Sequence, residues 1–81
     1  MITAFTLVKV VPHRNVQVFK KMKKLSTIEE ATLVYGEYDI ILKTHTKNIQ
    51  ELNRFIYNVL RKTPFITTTT TMIVAHIPKK R

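Results

Sequence analysis

An α+β fold with the element order β-α-β-β-α-β is predicted for this chain, and three observations predict it. Runs rich in β-branched residues stand at 2–11, 27–35, 38–46 and 65–77, and each reads as a strand. Between the first and second runs, and again between the third and fourth, apolar residues recur at steps of three and four, as on helices with one buried stripe. The single glycine, Gly36, stands between the two middle runs, where a hairpin needs a residue without a Cβ.

The first run alternates small or polar with bulky residues until Pro12, which lacks a backbone donor and closes the strand. Asn15 is placed to cap a helix, in which Val16, Phe19, Met22 and Leu25 form the apolar stripe and lysines fall mostly between them. The second and third runs pair antiparallel across the turn that holds Gly36. Asn48 stands three residues before Glu51, a spacing at which each side chain satisfies a free N–H at a helix start. Ile49, Leu52, Phe55, Ile56, Val59 and Leu60 then give the strongest helical pattern of the chain, and Pro64 ends it. The last run is dominated by five consecutive threonines from Thr67 to Thr71. This order is the ferredoxin-like split arrangement, a four-stranded antiparallel sheet with both helices on one face. The first and third strands are apolar at odd and even positions alike (Phe5 and Leu7 against Val8 and Val10, Ile40 and Leu42 against Ile41). Both faces of the sheet therefore expect cover, and a second copy of the chain is the expected cover of the open face.

Eighty-one residues make one domain, able to bury about 60 to 70% of the surface of its unfolded chain. Cysteine is absent, so aliphatic packing must hold the fold and thiolate metal sites are excluded. No apolar run approaches the ~20 residues that span a bilayer, and a soluble cytoplasmic protein without membrane contact is expected. Fourteen Lys and Arg against five Asp and Glu give a net charge of +9. Such a field suits a solvated basic surface, nucleic acid or an acidic protein partner.

The segment Ile28-Glu29-Glu30-Ala31-Thr32-Leu33-Val34-Tyr35-Gly36-Glu37-Tyr38-Asp39, followed by Ile-Ile-Leu-Lys, resembles the effector-binding domain of the leucine-responsive regulatory protein/AsnC family, also called the domain for regulation of amino acid metabolism. The likeness continues through residues 49–60 and Pro64-Phe65-Ile66, with Thr69 and Thr71 where the family carries threonines in its last strand. It covers nearly the whole chain, with residues 1–78 as a single ligand-binding domain and 79–81 as a basic tail. The family's helix-turn-helix domain has no counterpart here, so the resemblance points to a stand-alone version. It implies an amino-acid-binding, oligomerising regulatory domain that acts on transcription or amino-acid metabolism through partners. The implied assembly is a homodimer joined through its sheets and a further ring of dimers, an octamer or similar, with full-length relatives as possible partners. A small amino acid is then held near the turn between the second and third strands.

An α-amino acid asks for an acceptor for its ammonium group and donors for its carboxylate. Asp39 is the candidate acceptor, backbone N–H groups around Gly36 are candidate donors, and Thr69 and Thr71 complete the expected ring, bordered by Tyr35, Glu37 and Tyr38. The plainer alternatives are that Gly36 and Asp39 serve only the turn and that the threonines serve only the pleat. His13, His45 and His76 have no Cys, Asp or Glu at metal-ligand spacing, so neither metal nor other cofactor is expected. No nucleophile with a partnered base and no phosphate-binding glycine loop is present, and an enzyme is not expected. The least favoured alternative is a dimeric ferredoxin-like barrel enzyme with His45 or His76 as its polar group. A basic nucleic-acid module is the other alternative, with Arg14, Lys20, Lys21, Lys23 and Lys24 touching phosphates in a salt-sensitive, non-specific way.

Overall fold

A computed structural model describes residues 1–75. The elements are β1 (Ile2–Val10), α1 (Asn15–Lys23), β2 (Ile28–Leu33), β3 (Ile40–Thr46), α2 (Ile49–Phe55), a π-helical turn (Ile56–Leu60) and β4 (Ile66–Ile73). The order is the expected one. The strands form one antiparallel sheet in the order β2-β3-β1-β4, so β2 and β4 are its edges. Residues 76 and 77 of the predicted last strand, His76 and the 79–81 tail lie outside the described residues.

Side-chain alternation sorts the sheet into two faces. Ala4, Thr6, Val8 and Val10 of β1 and Ile40, Leu42, Thr44 and Thr46 of β3 are buried. Of these, Val8, Val10, Ile40 and Leu42 meet Val18 and Met22 of α1 and Phe55 and Leu60 of the second helical segment in one core, so both helices cover the same face. Phe5, Leu7 and Ile41 point the other way and are half-buried, while Met72 beside Phe5 is exposed. That apolar surface is the open face.

The caps differ from expectation in detail. At α2, Glu51 N–H donates to Asn48 Oδ1 at 2.9 Å, as predicted, but the Glu51 carboxylate accepts from Lys47 N–H rather than from Asn48. Asn48→Ala is expected to cost about 1 kcal/mol, read as a lower urea midpoint with an unchanged slope. At α1 the predicted Asn15 cap is not made: Asn15 is already helical, Arg14 holds the cap position, and no side chain bonds the free N–H groups. The basic residues of the last turn, Lys20, Lys21 and Lys23, instead favour this helix through its dipole.

The stripe of α1 is also corrected. Val16 is 48% exposed, whereas Val18, four residues before Met22, is buried. Steps of three drift by about 60° each on a 3.6-residue helix, so four residues at that spacing spread across half the circumference and cannot all face the core. Ile49, the first residue of α2, and Val59, inside the π turn, were also assigned to the stripe of the second helix and are 41% and 39% exposed.

Phe65 adopts φ 75° just before β4, a left-handed conformation that costs a bulky residue about 1–2 kcal/mol. Two contacts hold it there. Val11 N–H donates to its carbonyl at 2.9 Å, and the Arg14 guanidinium stands 4.6 Å from its ring centre. Both tie the entry of β4 to the segment after β1.

Candidate functional site

Gly36 has φ 127°, a conformation in which an L side chain is strained, and a Cβ added there would meet nothing within 4 Å. The glycine is therefore required by the backbone and not by crowding, and the turn leaves its amides open to approach. Glu37 and Tyr35 are exposed, Tyr35 completely so.

Asp39 is held by the strand beside it. Its N–H donates to Val8 O at 2.9 Å, its carbonyl accepts from Val34 N–H at 2.9 Å, and its Oδ2 accepts from Val10 N–H at 2.8 Å. The carboxylate thus closes the end of the β1–β3 ladder where β1 shifts register against β4 between Lys9 and Val10. The outer oxygen, Oδ1, makes no bond among the described residues and remains an acceptor.

The threonines divide by parity. Thr69 pairs with Val8 and Thr71 with Thr6 across β1 and β4, and the Thr6 and Thr71 hydroxyls are 3.0 Å apart, so both threonines lie on the helix side. Thr70 pairs with Leu7 and takes the open side, where its hydroxyl lies 3.3 Å from Tyr38 Oη. Within one chain the structure therefore joins Tyr38 to Thr70 and keeps Asp39 apart from Thr69 and Thr71. Ile40, Val8 and Thr69 stand in one row across β3, β1 and β4, two strand spacings or about 10 Å from first to last. Thr70 was missed by sequence reasoning, because five identical residues carry no signal of which parity faces the core.

The open face carries a second polar group. His45 Nδ1 lies 2.7 Å from Glu29 Oε1 and its Nε2 lies 2.8 Å from Thr3 Oγ1, with Lys43 Nζ 4.0 Å from the same carboxylate. His45 is thus a bridge at the sheet rim, bonded at both ring nitrogens.

The basic candidates lie on α1 or at its two ends, and α1 covers the helix side of the sheet. Lys20, Lys21, Lys23 and Lys24 are exposed, and among the described residues none of them meets a carboxylate. Lys23 Nζ is 5.4 Å from the Phe19 ring centre, and Arg14 donates to Gln17 Oε1 at 3.1 Å. Among the described residues no group of three His, Cys, Asp or Glu could hold a metal ion, and no helix is long and apolar enough to cross a membrane.

Residues 3–81 match the family model of the Lrp/AsnC ligand binding domain. The chain belongs to the Lrp/AsnC family. It is 36% identical over 77 residues to the HTH-type transcriptional regulator FL11 of Pyrococcus abyssi, an alignment covering 95% of this chain and 50% of that protein. The chain spans about half the length of the curated relatives it matches. The crystal structure of FFRP-DM1 superposes with a TM-score of 0.89 at 39% identity, covering 93% of this chain and 100% of that one. A transcriptional regulator of Neisseria meningitidis, solved in complex with L-methionine, superposes with a TM-score of 0.81 over 98% of this chain and 53% of its own. At 15% identity that likeness concerns the fold alone. This Lrp/AsnC domain therefore carries the ferredoxin-like fold of its family, and its named relatives are regulators of transcription.

Proposed function

We propose that this Lrp/AsnC domain binds a small amino acid and self-associates, and that through this it modulates transcription by way of partner proteins in the cytoplasm, without enzymatic activity. The observation that carries the reading is the match of residues 3–81 to a ligand-binding domain, with the open amides of Gly36 and the unpaired Oδ1 of Asp39 at its hairpin. β1 separates Asp39 from Thr69 and Thr71 in one chain, so the turn of one copy meets the threonine side of another. The half-buried open face of Phe5, Leu7 and Ile41 supports a dimer joined sheet to sheet, and a ring of dimers brings turns and β4 strands of different dimers together. Full-length relatives of the family are candidate partners.

Affinity for so small a ligand is expected at about 4–8 kcal/mol, millimolar to micromolar. Calorimetric titration of the twenty amino acids is the test: heat from one or a few of them is expected, and no response to any at millimolar concentration would overturn the reading.

The lysines of α1 favour a second reading, contact with a polyanion such as nucleic acid. Binding of a DNA duplex that falls steeply between 50 and 200 mM salt, in a protein indifferent to all amino acids, would put that reading first.

A further inference from the structure

The outer edge of β4 and the helical segment beside it enclose two adjoining depressions on the helix side of the sheet. One, of about 350 Å³, is lined by Arg61 and by Ile66 and the first threonines of β4. The other, of about 260 Å³, runs between Leu52, Asn53 and Ile56 on one side and Thr71 and Ile73 on the other. Arg61 and Thr69 belong to both, which makes them one trough with a cation at its middle.

The groups in the trough suit one ligand chemistry. No acidic side chain lines it, and among the described residues Arg61 has no carboxylate partner. The guanidinium is steadied over the Tyr57 ring at 4.9 Å, a contact that orients the planar fork and leaves its N–H groups available. Thr67 and Thr71 spend their hydroxyls on Lys9 O and on Thr6, whereas the Thr69 hydroxyl has no partner among the described residues. β4 is an edge strand, so the backbone N–H and C=O groups on its outer side are unpaired within the sheet. Leu52, Ile56 and Ile73 give the floor an apolar stretch.

A separate backbone feature aims Arg61 here. Its N–H bonds Ile56 O at 2.9 Å across five residues, the closing bond of the π turn, where one extra residue is accommodated. Such turns weaken a helix and concentrate at functional sites.

We propose that this trough receives the carboxylate of a small ligand, with the Arg61 guanidinium as its anchor, Thr69 as a secondary donor and the apolar floor beneath a short aliphatic substituent. The inference rests on the effector reading and deepens it. Arg61 shares its trough with Thr69 and Thr71, so it supplies the carboxylate end of the site whose ammonium end is the Asp39 turn of another copy. Guanidinium and carboxylate pair through two parallel hydrogen bonds, which selects a free acid over its amide.

The test is calorimetry of the wild-type chain, Arg61→Met and Arg61→Lys against the twenty amino acids and the corresponding amino-acid amides, with thermal melts to confirm that the variants fold alike. Arg61 is exposed, and melting temperatures close to wild type are expected. The amino acid that binds wild type is expected to bind Arg61→Met at least tenfold more weakly, with part of the loss restored in Arg61→Lys. Its amide is expected to bind wild type no better than the acid binds Arg61→Met. Equal affinity of wild type and Arg61→Met for the same amino acid would overturn the anchor and leave the effector reading standing. Silence of the wild type toward every amino acid would overturn both.

Discussion

Leu42→Ala is expected to leave much of the chain unfolded at 37 °C. Leu42 is fully buried in the central strand β3 and belongs to the one core that the helices share with the sheet. Removing its isobutyl group costs the transfer energy of the lost atoms and the cavity they leave, together about 2–5 kcal/mol. A domain of this size has about 4–12 kcal/mol in all, and no disulfide adds to it, since cysteine is absent. Urea unfolding followed by circular dichroism checks this: the midpoint should fall by about half or vanish. A loss below 1 kcal/mol would mean that the core closes around the gap, which such a close-packed layer does not permit.

Asp39→Asn is expected to weaken amino-acid binding about ten- to hundredfold while leaving the fold in place. Asparagine keeps an oxygen to accept the Val10 N–H, so the end of the β1–β3 ladder is preserved. The charge that would meet an ammonium group is gone, and a charge-assisted bond of that kind carries about 1.5–3 kcal/mol, a ten- to hundredfold change in affinity. Asp39→Ala differs in kind, because it also orphans the Val10 N–H and should lower stability by about 1–3 kcal/mol. Binding and melting measured on both variants separate the two roles of the carboxylate. Wild-type affinity in Asp39→Asn would show that Asp39 serves the strand alone.

The element order was legible because two periods, 2 and 3.6, alternate cleanly along the chain and because Gly36 and Pro64 punctuate it. The core positions of β1 and β3 did not follow from these periods, because both strands are apolar at odd and even positions and the bulky Phe5 and Leu7 face away from the helices. Other features also lay beyond them. Whether Thr69 or Thr70 faces the helices depends on the register of β4, and a run of identical threonines has no binary pattern to set it. The register shift between Lys9 and Val10 is likewise a three-dimensional matter, visible only in how Asp39 reaches Val10. The positive φ of Phe65 had no signal, since glycine or asparagine is the usual residue there; a stacked arginine and the bond from Val11 N–H hold it instead. The π turn was hidden within a good helical pattern, and with it the place of Arg61 beside β4. The candidate site was thus legible only as a list of residue types around the turn and not as an arrangement, because Asp39 and the threonines of β4 stand on opposite sides of β1.

That separation makes assembly the central claim. An amino acid is only a few ångströms long, and the turn and the threonine trough of one chain stand on opposite sides of β1, so the proposed site requires two copies. Sedimentation velocity of the wild-type chain at tens of micromolar, with and without the amino acid that binds, is the direct measurement. Dimers or larger rings, shifted toward the larger species by ligand, are the predicted result; a monomer that binds its amino acid without associating would contradict the account.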